Sequence, residues 1–156
     1  MKRIRRYNRT AEIIECAHKP LYLQNVFTGE KVPLERLRDA YIGSISAIAA
    51  PESFEAALAK LGAHVDLATR YIDHHYYSEA ELISFIKRCI RRDLEMIVTT
   101  EKDSVRMPRL PEGEMKVPIC FLRVEIEILS GHESWEHCVA RICKPQPVLP
   151  PERFFA

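Results

Sequence analysis

The sequence predicts an α/β layered domain with a mostly parallel sheet, flanking helices and right-handed crossovers, Rossmann-like in topology, preceded by an N-terminal β-hairpin linker. Two observations carry this. Nearly continuous apolar runs at 41–49 and 96–99 have the character of strands covered on both faces. Stretches with apolar residues at helical spacing separate such runs, so strand and helix alternate. The expected division is a hairpin linker over 1–32, an α/β C-terminal lobe over 33–144 and a proline-rich tail over 145–156.

The elements follow in order. Ile13, Ile14 and Cys16 form a first strand that breaks at Lys19-Pro20; Leu21, Leu23 and Val26 form its partner, closed by a turn at Thr28-Gly29. A helical turn begins at Pro33, with Leu34 and Leu37 facing inward. After the 41–49 strand, Pro51 opens a helix whose stripe is Phe54, Leu58 and Leu61, and Gly62 stops it. Residues 63–69 read as the next strand. Ser78 and Glu81 form a capping box for a helix burying Leu82, Phe85, Ile86, Cys89 and Ile90. A buried strand at 96–99 leads into a short helix at 101–105, then a proline- and glycine-bearing loop to Met115. Residues 117–129 form a long strand with Arg123, Glu125 and Glu127 set against Val124, Ile126 and Ile128. Ser130 and Glu133 suggest another capping box, before a helix that buries Trp135, Cys138, Val139 and Ile142. The four prolines from Pro145 onward predict an extended or disordered tail.

Composition narrows the function classes. The chain has 156 residues, 47% hydrophobic and 29% charged, so it is long enough for one real core. A net charge of +1 gives no global field for nucleic acid, and no nucleic-acid partner is expected. Two local basic clusters stand out: Lys2, Arg3, Arg5, Arg6 and Arg9 around Tyr7, and Lys87, Arg88, Arg91 and Arg92. Each fits a solvated basic face, or contact with phosphates or an anionic membrane surface. The five cysteines, an odd number with no secretory signal, argue against a disulfide framework and for a reduced cytoplasmic setting. Cys120 lies in an apolar run and reads as core. His132, His137, Cys138 and Cys143 lack CxxC or HExxH spacing, so no metal is expected there. No apolar stretch reaches transmembrane length. The five glycines, at 29, 43, 62, 113 and 131, build neither GxxxxGK[ST] nor GxGxxG, and there is no GxSxG elbow.

The chemistry-bearing residues sit at predicted strand ends. Asp73-His74-His75 follows the second core strand, where open α/β sheets present their chemistry. An imidazole beside a carboxylate holds it in place and shares a proton taken from a hydroxyl; alternatively, both histidines cap the strand end and bond to backbone. Asp73 equally fits a turn carboxylate accepting backbone N–H groups. Downstream, Thr99 or Thr100 caps the short helix. Lys102, in its first turn, opposes the helix dipole, which points to a phosphate or to a salt-bridge partner.

The order of the segments adds a resemblance. Ala17-His18-Lys19-Pro20 and Gly29-Glu30-Lys31-Val32-Pro33-Leu34 come first, then Ala50-Pro51-Glu52-Ser53-Phe54 and Leu61-Gly62-Ala63. Asp73-His74-His75-Tyr76-Tyr77-Ser78, Val98-Thr99-Thr100-Glu101-Lys102-Asp103 and Leu122-Arg123-Val124-Glu125 follow. Over residues 3–129 this series resembles the C-terminal half of the tetraacyldisaccharide 4'-kinase family of Gram-negative lipid A biosynthesis. The resemblance implies a P-loop kinase of two α/β lobes joined by a two-stranded linker. Such an enzyme transfers the ATP γ-phosphate to the 4'-hydroxyl of tetraacyldisaccharide 1-phosphate at the cytoplasmic face of the inner membrane, giving lipid IVA. It places the ATP and Mg²⁺ sites and the catalytic Asp in the N-terminal lobe, which becomes the expected partner along with the lipid disaccharide. This chain alone is then expected to be inactive. Asp73 and His74 take the catalytic positions by motif, His74 supporting the catalytic Asp; Lys102, Thr100 and His75 are the candidate substrate-binding residues, His75 having the stronger structural claim. Where the family carries a glycine-rich segment, this chain has Ala47-Ile48-Ala49-Ala50 before Pro51. The alternatives are a non-catalytic α/β interaction domain and a metal-dependent phosphoesterase of the type also marked by a DHH triplet, for which further aspartates and a second histidine motif are missing.

Overall fold

The computed structural model describes residues 2–111 and 113–143. They form two compact units: Lys19–Glu125, and the described residues up to His18 together with those from Ile126 onward. The tail expected at 145–156 lies outside the described residues.

In the larger unit, the 3-10 turn Leu34–Leu37 leads into β3 (Tyr41–Ser46), α2 (Pro51–Lys60), β4 (His64–Arg70), α3 (Glu79–Arg91), β5 (Met96–Thr100), the one-turn helix α4 (Glu101–Ser104) and the part of β6 (Ile119–Ser130) up to Glu125. β1 (Glu15–Asn25) and β2 (Lys31–Val32) precede them, and the sheet order is β2-β1-β6-β5-β3-β4. β3 runs parallel to both β4 and β5, and β5 parallel to β6. The expected parallel α/β sheet is therefore present.

Alternation along the strands divides the core between the sheet's two faces. Ile97 and Ile45 join Leu82, Phe85, Ile86 and Cys89 of α3. Met96, Val98 and Ile42 join Leu58 of α2 with Leu23 and Leu37. The connection from β3 to β4 and the return from β4 to β5 run in opposite directions across the sheet. A single hand of crossover then puts their helices on opposite faces. Pro51 starts α2 where its missing N–H costs nothing, and Gly62, at φ +96°, turns the chain after it. Ser78 and Glu81 make the expected capping box.

Four expectations need correction. The two segments expected as paired strands form one: β1 runs through Lys19-Pro20 without a break and pairs instead with β2, beyond the Thr28-Gly29 turn, at Leu23↔Val32 and Gln24↔Lys31. β2 is too short to reach Pro20, so the proline meets no ladder partner on that side. Nor do the linker strands stand apart from the parallel sheet they were expected to precede: β1 and β2 belong to the same sheet. Ile90 is 42% exposed, because it lies roughly 80° around α3 from Leu82, at the margin of the stripe.

The last correction falls in the smaller unit, which holds α1 (Lys2–Tyr7) and α5 (His132–Ile142). No side chain of α5 is buried, and Trp135 is 47% exposed rather than core. Its capping box is absent too. Ser130 spends its hydroxyl on Glu15 (2.8 Å), and Gly131 is the N-cap, with no side-chain cap. Gly131 is required there: its φ is +83°, and a Cβ would stand 2.5 Å from the carbonyl oxygen of Ile13.

Candidate functional site

β3 and β5 are neighbours whose onward connections leave in opposite directions, β3 toward β4 and β5 toward β6. That makes the C-terminal ends of β3 and β5 the topological switch point, where open α/β sheets form their crevice. Three loops gather at this edge: 47–50 after β3, 71–77 after β4, and α4 with the residues that follow it after β5.

Asp103 fastens them. Its carboxylate has no solvent exposure. Oδ2 accepts the backbone N–H of Ala47 (3.0 Å) and the hydroxyl of Thr100 (2.7 Å), while Oδ1 faces Arg106 Nη1 at 3.8 Å. A buried carboxylate persists only with such partners. Thr100 returns the favour as N-cap, its Oγ1 accepting the Asp103 N–H at 3.1 Å. Thr99 is fully buried instead.

Over this base stand Asp73 and His74. Lys102 Nζ donates to Asp73 Oδ1 at 2.8 Å, so the cation in the first turn of α4 has a carboxylate partner. That hydrogen bond, above all, holds the Asp73 carboxyl below the usual carboxylate range. His74 Nε2 lies 3.7 Å from the other oxygen, Oδ2. On the far side of the ring, Arg106 Nη2 donates to Nδ1 at 3.0 Å. The His74 backbone is left-handed, φ +69°, and its N–H reaches the carbonyl of Ala47 at 3.3 Å. A non-glycine residue in that region costs of order 1 kcal/mol or more, and such strain concentrates at functional sites.

His75 turns elsewhere. It stacks on Tyr71 (4.4 Å between ring centres, 9° between planes) and its Nε2 faces Glu81 Oε1 at 3.1 Å, tying the loop to the start of α3. Tyr77 meets both rings edge-on, and burial pushes its phenol upward. Arg123, on β6, pairs with Glu101 of α4.

The structure thus brings Asp73, His74 and Lys102 together at the strand ends. Thr100 is close by, with its hydroxyl committed to Asp103, and His75 is committed to Glu81 and Tyr71. The residues that organise the group, Asp103 and Arg106, were not singled out from sequence. Their i, i+3 spacing on the turn after Thr100 is the signal that marks them. None of Ala47, Ile48, Ala49 and Ala50 has a positive φ, so this backbone needs no glycine there. Among the described residues, no three His, Cys, Asp or Glu side chains assemble into a group able to hold a metal ion.

The family described as "Tetraacyldisaccharide-1-P 4'-kinase" (LpxK) matches residues 2–144. The tetraacyldisaccharide 4'-kinase of Syntrophus aciditrophicus (strain SB) is 34% identical over 137 residues, 87% of this chain and 36% of that protein. That of Anaeromyxobacter dehalogenans (strain 2CP-C) is 32% identical over 127 residues, 81% of this chain and 34% of that protein. The chain therefore spans about a third of the length of these curated relatives. Among solved structures, the "apo" form of LpxK from Aquifex aeolicus in complex with ATP superposes with a TM-score of 0.50 at 19% identity, covering 83% of this chain and 36% of that one; the likeness is one of fold.

Proposed function

This chain belongs to the tetraacyldisaccharide-1-P 4'-kinase family, and on that premise we propose that it serves transfer of the ATP γ-phosphate to the 4'-hydroxyl of tetraacyldisaccharide 1-phosphate, giving lipid IVA. The observation that carries the reading is the grouping of Asp73, His74 and Lys102 at the sheet's switch point. Phosphoryl transfer asks a protein mainly for positioning and charge neutralisation, and only one modest base is needed for the attacking hydroxyl. Asp73, kept ionised by Lys102, is suited to take the proton of that hydroxyl, and the adjacent imidazole of His74 is suited to orient the carboxylate.

The residues present do not fit the nucleotide or its Mg²⁺. The sequence has no phosphate loop, and no acidic group is assembled among the described residues. We therefore assign this chain the part of a C-terminal lobe, inactive alone, and assign ATP and Mg²⁺ to an N-terminal P-loop lobe as its partner. The lipid substrate places the reaction at the cytoplasmic face of the inner membrane. The described residues contain no helix long and apolar enough to cross a membrane, which accords with peripheral attachment.

The test is His74→Ala in an active, full-length family kinase carrying these residues. We expect kcat to fall by about 10²–10⁴ with KM for the lipid little changed, and Asp73→Asn to fall as well. Unchanged turnover in His74→Ala would overturn the reading. Titration calorimetry on the chain itself should detect no ATP binding at micromolar concentrations; a micromolar Kd would refute the assignment of the nucleotide to another lobe.

A further inference from the structure

We propose that Arg106 is the positioning residue that fixes the ring tautomer of His74. The functional weight of this rests on the reading of His74 given above; the geometry does not. A guanidinium carries five N–H donors and no acceptor. Its Nη2 stands 3.0 Å from Nδ1 of His74, so that nitrogen is a bare acceptor. The one ring proton of the neutral imidazole then resides on Nε2, the nitrogen that faces Asp73 Oδ2 at 3.7 Å. His74 therefore offers an N–H toward the carboxylate, and its other nitrogen accepts from the guanidinium.

What holds the guanidinium is independent of His74. The Arg106 side chain is 16% exposed, against 66% for His74. Asp103, fully buried, faces it at 3.8 Å and is itself held by the Ala47 N–H and the Thr100 hydroxyl. The ring of Tyr76 lies 5.8 Å from its Cζ. Order thus passes from a buried carboxylate, through a largely buried planar cation, to an exposed imidazole. The planar fork suits this bridge, because one edge faces Asp103 while another reaches Nδ1; a lysine presents a single point charge. The left-handed backbone of His74 and its N–H bond to Ala47 fix the ring's base at the same time.

The test is a long-range ¹H–¹⁵N correlation spectrum of the 156-residue chain, recorded where the histidine rings are neutral, for wild type, Arg106→Met and Arg106→Lys. In wild type the His74 proton should reside on Nε2, with the Nδ1 resonance displaced upfield by its donor. In Arg106→Met that resonance should move to the position of an unbonded acceptor, and Arg106→Lys should restore it in part. His75, whose partners are Glu81 and Tyr71, should not move. If Arg106→Met does not fold, the wild-type spectrum still decides, since a proton on Nδ1 or an undisplaced Nδ1 resonance overturns the proposal. In an active full-length kinase, Arg106→Met should lower kcat about tenfold or more at constant KM, and should lower it no further in a His74→Ala background. Equal losses in both backgrounds would show Arg106 acting apart from His74 and overturn the positioning role. Should His74→Ala itself leave turnover intact, the functional reading falls while the spectrum still settles the tautomer.

Discussion

The carboxylate of Asp103, wholly excluded from solvent, accepts the backbone N–H of Ala47 at 3.0 Å, across the two strand ends where the sheet's connections diverge. The same carboxylate faces Arg106 and takes the Thr100 hydroxyl. Removing it strands a buried N–H and leaves a largely buried cation without its partner. Asp103→Ala should therefore cost about 3–5 kcal/mol of unfolding free energy. Asp103→Asn should cost less, because an amide oxygen still accepts the Ala47 N–H. Urea unfolding monitored by circular dichroism gives both values; a loss under about 1 kcal/mol in Asp103→Ala would mean that the carboxylate does not fasten these loops.

Glu81 sets part of the acid limit of stability. Its carboxylate accepts the Ser78 backbone N–H (2.8 Å) and hydroxyl (2.7 Å) and faces His75. The Ser78 backbone hydrogen bond is the largest cause holding its carboxyl below the ordinary 4.5, followed by the hydroxyl. A carboxyl depressed in the folded state contributes stability that is complete above its unfolded value and is lost as pH falls through the folded one. The sensitive window therefore lies below about 4.5. Glu81→Gln keeps the capping-box geometry but removes the charge. Its stability curve should be flatter than wild type on the acid limb and parallel to it near neutrality. Ser78→Ala should cost about 1 kcal/mol. An acid limb of unchanged slope in Glu81→Gln would assign the depression to the wrong carboxylate; Asp73, held by Lys102 below the ordinary 3.8, acts lower on the same limb and is the control.

Much of this was legible where the signal is local. The apolar runs gave the parallel strands, and Ser78-x-x-Glu81 and Pro51 gave helix starts, because each is set by neighbours in sequence. That Asp73-His74 and Lys102 follow strand ends was legible for the same reason. That Lys102 answers Asp73, and Arg106 answers His74, was not legible: the partners are 29 and 32 residues apart and meet only through the parallel pairing of β3 with β4 and β5. The stripe on α5 shows the reverse failure. Its apolar period was read correctly, but period alone does not say that a face is covered, and Trp135 stands half exposed. At Ser130 a distant partner won over the local one: the hydroxyl went to Glu15, 115 residues away, rather than to the helix end.

Thiol chemistry offers a check on the packing of both core faces. Cys89, on the inner face of α3, and Cys120, on β6, are buried, and burial pushes each thiol up to about 11. Cys16 and Cys143 are exposed. A thiolate-selective reagent near neutral pH should modify Cys16 and Cys143 first, and should reach Cys89 and Cys120 only at the rate at which the fold opens. Mass mapping of the labelled peptides reads the order. Cys89 reacting as fast as Cys16 would contradict the seating of α3 against the sheet.

That seating also dictates a glycine. Gly43 sits within β3 outside the left-handed region, so its conformational freedom is not what matters. A Cβ there would stand 2.8 Å from Cys89 Sγ and 3.2 Å from the Phe85 ring. α3 approaches the strand too closely for a methyl group, and Gly43→Ala should cost about 1–3 kcal/mol through overpacking. Shortening the opposing side chain removes the nearest clash. In the Gly43→Ala, Cys89→Ala double variant the loss should therefore fall short of the sum of the single losses, by about 0.5 kcal/mol or more. Strict additivity in urea unfolding would show that the strand and helix separate to absorb the methyl group rather than meeting through these two residues.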